Sequence, residues 1–182
     1  MLKSISGKKA FVSRALFLLF FLWLALQSIL FFQFGIVTKG EAVKYLTESE
    51  YWKQHHTFSQ PKYLFYSVYI AIRLFFEEAG LGATGVYIFQ LLLNLVSLFF
   101  FYKLSIRYFN SERSAKIAAL LLIVCLPWQL WTTHLYTESV FINLVIIFTY
   151  FLLKPNKTLG SHLLTLIFLL LLIFTRPTGM LF

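Results

Sequence analysis

The chain has 182 residues and no aspartate, so any acid chemistry falls to its seven glutamates. Its one cysteine, Cys125, lies inside an apolar run; this excludes an internal disulfide and leaves nothing for a cysteine-based metal cluster or redox pair. A small hydrophobe packed in a helix is the plainest role for it. Charge is scarce at 13% of residues, where soluble domains carry about a quarter. No glycine-rich phosphate loop, zinc-ligand spacing or Ser-His-Asp pattern appears. His55 and His56 are adjacent, so they cannot share a helix face and make a poor metal pair. Neither a metal site nor a cofactor is expected, and no internal repeat is visible.

Apolar residues fill the space left by charge. They make up 59% of the chain, with 20% aromatic, and the mean hydropathy is +0.77. A soluble core of this size has no room for so much apolar surface, and a lipid bilayer is the solvent that suits it. Twenty-two Phe and ten Tyr fit helices that face lipid and anchor at its interfaces. The formal charge of +9 does not point to nucleic acid, because the basic residues lie between apolar runs instead of on one soluble face.

Five spans are expected, over about residues 15–37, 86–106, 114–132, 138–154 and 160–176, in a single membrane domain covering 1–182. The first run follows Lys3, Lys8, Lys9 and Arg14. It is too long and too bulky for a signal-peptide core of about 7–15 residues, and reads as a retained helix. Charges in the short loops set the orientation. With the N-terminus cytoplasmic, that side holds those four bases plus Lys103, Arg107, Arg113, Lys116, Lys154 and Lys157, against Glu112 alone, which accounts for the whole +9. The loop at 38–85 carries five bases and five acids and is neutral. The fold class is therefore all-α: a polytopic membrane protein with about five transmembrane helices and a long outer first loop carrying short amphipathic interfacial helices. In that loop, 63–76 is too short to span. As a helix it places Leu64, Val68, Ile72 and Phe75 on one face and Tyr66, Tyr69, Arg73 and Glu77 on the other. Such a helix lies on the outer membrane surface or dips into it, and Gly80, Gly82 and Gly85 hinge it to the second span. The membrane is the plasma membrane if the source is bacterial, the endoplasmic reticulum if eukaryotic.

Three charged residues stand near the expected outer ends of the spans. Glu41, past the first span, is either a partly desolvated general base or the far end of a Thr38-x-x-Glu41 capping box. Glu138, opening the fourth span, is either functional, as ionisable groups beside membrane helices tend to be, or an acid favoured by the helix dipole. Arg176, in Thr175-Arg176-Pro177-Thr178-Gly179, either holds a phosphate bidentately or snorkels as an anchor.

In order along the chain, these pieces resemble the N-terminal part of the GT-C membrane glycosyltransferases, which include protein O-mannosyltransferases, aminoarabinose transferases and GPI mannosyltransferases. The resemblance rests on Glu41-Ala42-Val43-Lys44-Tyr45 after the first span, and on a long loop with Pro61 and aromatics up to Tyr69. It continues with a basic turn from Lys103 to Lys116, Pro127 late in the third span, Thr137-Glu138, and Arg176 to Gly179 as Arg-Pro-x-Gly. It implies transfer of a sugar from a polyprenyl-phosphate-linked donor to an acceptor hydroxyl at the non-cytoplasmic face. Glu41 would be the base, Glu138 a second acid in the same cavity, and Arg176 the partner of the lipid phosphate. Lys44, His55 and Tyr66 would line the cavity. The family usually has aspartate where this chain has Glu41, and its members continue into further spans. The chain is accordingly expected to be an N-terminal fragment of a larger enzyme. The contrasting expectation is a small non-catalytic membrane protein, or remnant, whose outer loop binds a partner. A transporter fits less well, because charges would then sit at the bilayer midplane.

Overall fold

The structure, a computed structural model, describes residues 3–155 and 158–181, with side chains from Leu16 onward. Lys157 lies outside the described residues, as do the side chains of Lys3, Lys8, Lys9 and Arg14. The described residues are all-helical, without strands. Eight α-helices run α1 (Lys3–Phe34), α2 (Glu41–His55), α3 (Ser67–Glu78), α4 (Gly82–Phe109), α5 (Glu112–Ile123), α6 (Leu126–Leu130), α7 (Thr137–Leu152) and α8 (Leu159–Thr175). Short 3-10 turns cover Pro61–Tyr66 and Pro177–Leu181. Two stretches, Leu16–Phe34 and Gly82–Phe109, are long and apolar enough to cross a membrane; α7 and α8 are apolar but shorter.

Local chemistry sets the helix ends. Gly35 takes φ +63° and returns its N–H to the Phe31 carbonyl at 2.8 Å, closing α1. The expected Thr38 capping box does not form. Gly40, at φ +67°, is the residue before α2, and no side chain caps that helix. The space where a Cβ on Gly40 would point is filled by the Tyr136 hydroxyl, which donates to the Lys39 carbonyl at 2.9 Å. α3 ends in a Schellman motif: Gly80 (φ +72°) donates to Glu77 O and Leu81 donates to Phe76 O. Past it, Gly85 lies so close to the Phe76 ring that a Cβ there would overlap it. Gly85→Ala is therefore expected to destabilise the α3–α4 corner by about 1–3 kcal/mol through overpacking. Gly35→Ala, in open space, should lose only about 1 kcal/mol from the left-handed φ. Thermal melting of the detergent-solubilised variants, followed by helical circular dichroism, checks the order.

The third expected span, 114–132, is not one helix. α5 stops at Ile123, and the short α6 begins at Leu126. Pro127 is the cause: it has no N–H to donate, and its ring would clash with the carbonyl four residues back, that of Ile123. The chain then leaves helical geometry, and its backbone pairs with the segment after α1. Val37 N–H donates to Thr133 O at 2.8 Å, and Leu135 N–H donates to Val37 O at 3.1 Å.

α4 is the central element; it packs on α3, α5 and α7, while α8 packs on α7 and α3, and α1 on α5. One apolar cluster joins Leu19, Trp23, Leu98, Tyr102, Ala115, Ala119, Ile123 and Trp128; a second joins Ala42, Tyr45, Tyr69, Val86, Leu135, Val140, Leu144 and Leu172. Buried amide side chains bond within and between the helices. Trp23 Nε1 donates to Asn94 Oδ1 at 2.6 Å, Gln27 Nε2 donates to Gln129 Oε1, and Thr132 donates to Gln27 Oε1 at 2.7 Å. Gln90 Nε2 donates to the His134 carbonyl at 2.9 Å, and Asn143 Nδ2 to the Ser139 carbonyl at 2.7 Å. The Gln90 bond serves the irregular backbone after α6, whose polar groups need partners where water is excluded.

Candidate functional site

Six segments meet at one end of the bundle: the residues after α1, the start of α2, α3, the start of α4, the start of α7 and the end of α8. The Val37 pairing and the Tyr136–Lys39 bond hold the start of α7 against the link into α2. At the other end stand the basic residues of the α4–α5 turn. There Arg107 donates to the Tyr150 hydroxyl at 2.6 Å and lies over its ring, Lys116 pairs with Glu112 at 3.2 Å, and Ser111 caps α5.

Glu138 and Arg176 form an ion pair of 2.7 Å, with side-chain exposures of 16% and 29%. Local sequence places both. Glu138 is in the first turn of α7, where the helix dipole favours an acid. Arg176 precedes Pro177, is held extended (φ −154°, ψ 146°), and so leaves α8 at a fixed angle. The turn after it folds back tightly enough that a Cβ on Gly179 would run into the Leu172 carbonyl, which accounts for glycine in Arg-Pro-x-Gly.

Thr137 donates to Glu138 Oε2 at 3.4 Å, and its hydroxyl oxygen lies 3.3 Å from the Tyr45 hydroxyl. A threonine has one proton to give, so the Tyr45 phenol donates to Thr137 and the chain runs Tyr45, Thr137, Glu138. Burial pushes the Tyr45 phenol up to about 12, against the pull of the Thr137 bond, with Tyr66, Glu138 and Glu41 adding to the rise. Tyr45 is therefore a neutral donor at physiological pH, with Glu41 and Glu138 both within its electrostatic reach. Its ring centroid is 5.4 Å from that of Tyr66 and 5.2 Å from that of Tyr69.

Glu41 opens α2 and pairs with Lys44 at 3.6 Å in solvent, with 47% of its side chain exposed. Of the residues named from sequence, Glu41, Lys44, Tyr66, Glu138 and Arg176 thus gather around Tyr45 and Thr137. His55 does not join them. It is the last residue of α2, about 21 Å along the axis from Glu41 at the helical rise, exposed, and stacked on Tyr51 with centroids 4.2 Å apart. Nearby, Glu48 is buried and binds Ser59 through both oxygens, accepting its N–H at 2.7 Å and its hydroxyl; this pins the loop after α2. Among the described residues, no group of three or more His, Cys, Asp or Glu is placed to hold a metal.

Sequence reading passed over Tyr45 as a site member, Thr137 as the link to Glu138, and Arg73. The signal for Arg73 was present: on α3 it follows Tyr69 by four residues, and so shares a face with it. That face is the buried one. Tyr69, Ile70 and Arg73 are inside, whereas Val68, Ala71, Ile72 and Phe75 line an open apolar groove with Phe76, Phe89 and Leu171, of about 440 Å³. No protein-family model, curated protein or solved structure matches this chain.

Proposed function

We propose that the chain is a multi-pass membrane protein with a cytoplasmic N-terminus, and that its glutamate–arginine end is the non-cytoplasmic site of a glycosyltransferase or of part of one. The observation that carries this reading is the convergence of Glu41, Tyr45, Thr137, Glu138 and Arg176, which lie up to 135 positions apart in sequence, at one end of the bundle. The donor would be a sugar on a polyprenyl phosphate. Its isoprenoid tail has an apolar surface available in the groove between α3 and α8.

The chemistry follows from the charges. Glu41 accepts the proton of an acceptor hydroxyl as that oxygen attacks the anomeric carbon from the face opposite the phosphate. The bond from the anomeric carbon to the phosphate oxygen breaks, its electron pair stays on that oxygen, and the lipid phosphate leaves with one more negative charge. Arg176 offsets that charge. Glu138 is already held by Arg176 at 2.7 Å, which suits it to aiming the guanidinium. Glu41, paired only at 3.6 Å and in solvent, is the freer base. Lys44 and Tyr66 border the same space. The multi-span reading counts the apolar α7 and α8, and the broken α5–α6 segment, as crossings besides the two long helices.

The function is tested by incubating membranes that contain the protein with a labelled polyprenyl-phosphate sugar and following label into water-soluble or protein acceptors. No transfer from correctly inserted protein favours the partner-binding alternative. Topology has its own test. Cys125 is exposed, so it is first replaced by serine. In that background, cysteine at Glu50 is expected to react with an impermeant maleimide from the non-cytoplasmic side, and cysteine at Arg113 only after permeabilisation. The reverse pattern overturns the orientation.

A further inference from the structure

Arg73 is the largest of the fully buried side chains among the described residues, with 2% of its surface exposed. A guanidinium out of water needs an anionic partner and hydrogen-bond acceptors, or its burial is costly. Glu77 supplies one contact, at 3.2 Å to Nη2, from the more exposed side of the helix. Arg73 Nε is buried without a partner. Beside it, Tyr69 is fully buried and its hydroxyl also has no hydrogen-bond partner. Burial raises the Tyr69 phenol above its ordinary value, and the adjacent Arg73 opposes the rise.

Arginine only donates. With the guanidinium beside the phenol oxygen, the Tyr69 O–H has no acceptor in Arg73, and the Tyr45 ring packs against the Tyr69 ring with centroids 5.2 Å apart. Tyr45 leads through Thr137 to the Glu138–Arg176 pair, and Arg176 Nε is another buried donor without a partner. The seam from α3 to the end of α8 therefore holds three buried donors without an acceptor, the Tyr69 hydroxyl and the Nε of Arg73 and of Arg176, although each guanidinium is paired with a glutamate through another nitrogen. Buried donors in that arrangement call for a ligand that only accepts and carries negative charge. An oxyanion of the phosphate type meets both conditions.

We propose that Arg73, acting through Tyr69, is a positioning residue that joins Arg176 in giving this seam its preference for a phosphate-bearing ligand. The proposal rests on the reading of the site as one that receives a phosphate-linked donor. The shared chemistry is a phosphate monoester or free phosphate, and the probes separate the two sources.

The test uses the full chain in lipid nanodiscs and measures affinity for farnesyl phosphate, farnesol and inorganic phosphate by calorimetry. Arg73→Gln is expected to weaken farnesyl phosphate binding about tenfold or more, the scale of a lost charge-assisted hydrogen bond, while farnesol binding is unchanged. Arg73→Lys is expected to restore part of the loss, because it returns the charge without the fork. Tyr69→Phe removes one oxygen and no packing, and should weaken farnesyl phosphate alone by several-fold. Equal affinity of folded Arg73→Gln and wild type for farnesyl phosphate overturns the proposal, as does parallel loss of farnesol, which marks a merely structural role. If Arg73→Gln does not fold, Tyr69→Phe decides, and unchanged affinity there overturns it. Phosphate binding with the same dependence on Arg73 supports a free anion as ligand, and binding of farnesyl phosphate alone supports a lipid headgroup. No anion binding by wild type overturns the proposal. Arg73-dependent binding without sugar transfer leaves the anion seam standing and removes the glycosyltransferase reading; transfer with Arg73-independent binding does the opposite.

Discussion

On the proposed glycosyltransferase reading, Glu41→Gln is expected to lower sugar transfer by about 10²- to 10⁴-fold, the range for loss of a positioned general base, while the protein still inserts and folds. The substitution is nearly isosteric. Glu41 has no buried contact to lose, since its ion pair with Lys44 is 3.6 Å long and both side chains are about half exposed or more; surface pairs of this kind contribute roughly 0–1 kcal/mol. What changes is the ability to take a proton. Glutamine in the first turn of α2 also gives up a small favourable interaction with the helix dipole, about 0.3–1 kcal/mol, too little to unfold the segment. The measurement is labelled transfer per inserted molecule, with insertion checked by the maleimide pattern given above. Undiminished transfer removes Glu41 from the mechanism, and loss of insertion shows that its role is structural.

Arg176→Gln is the second large effect, and it acts on fold and function together. Glu138 would be left half-buried beside a neutral amide. Removing one partner of a buried pair costs about 3–5 kcal/mol; at 16% and 29% exposure this pair lies toward or below the lower end. The melting temperature should fall accordingly, and transfer should be lost. The double variant Glu138→Gln/Arg176→Gln separates the two consequences. With neither charge present, most of the stability is expected to return, because the uncompensated carboxylate is gone. Transfer is expected to stay absent, because nothing offsets the leaving phosphate. Full recovery of transfer in the double variant would show that Arg176 only neutralises Glu138 and does not serve the ligand.

The charged members of the candidate site were legible in sequence as groups at helix ends, because local rules place them. Pro177 forces Arg176 out of helical geometry, the start of a helix suits Glu138, and Glu41 follows a glycine turn. The charge asymmetry between the α4–α5 turn and the 38–85 loop was equally plain, being a matter of counting. Two readings failed for reasons that lie outside their windows. The Thr38 capping box yields to Gly40, whose conformation is fixed by Tyr136, nearly a hundred residues away. The continuous third span yields to Pro127, where Gln129 Nε2 takes up the Leu122 carbonyl, and the backbone past α6 finds partners far off in sequence, in Gln90 and in Val37.

Sequence by itself determined that this is an all-helical, strongly apolar chain, where α4, α7 and α8 start and stop to within a few residues, and which residues carry charge. Those properties depend on side-chain chemistry and on neighbours three or four positions away. Only the tertiary structure decided that Glu138 meets Arg176, that Tyr45 reaches Thr137, that His55 stands apart, and that α3 turns Arg73 inward and its apolar side outward. An amphipathic pattern defines two faces of a helix without saying which one is covered. That depends on what packs against it, and here α3 packs against α2, α4 and α8, with Tyr69 in the buried cluster.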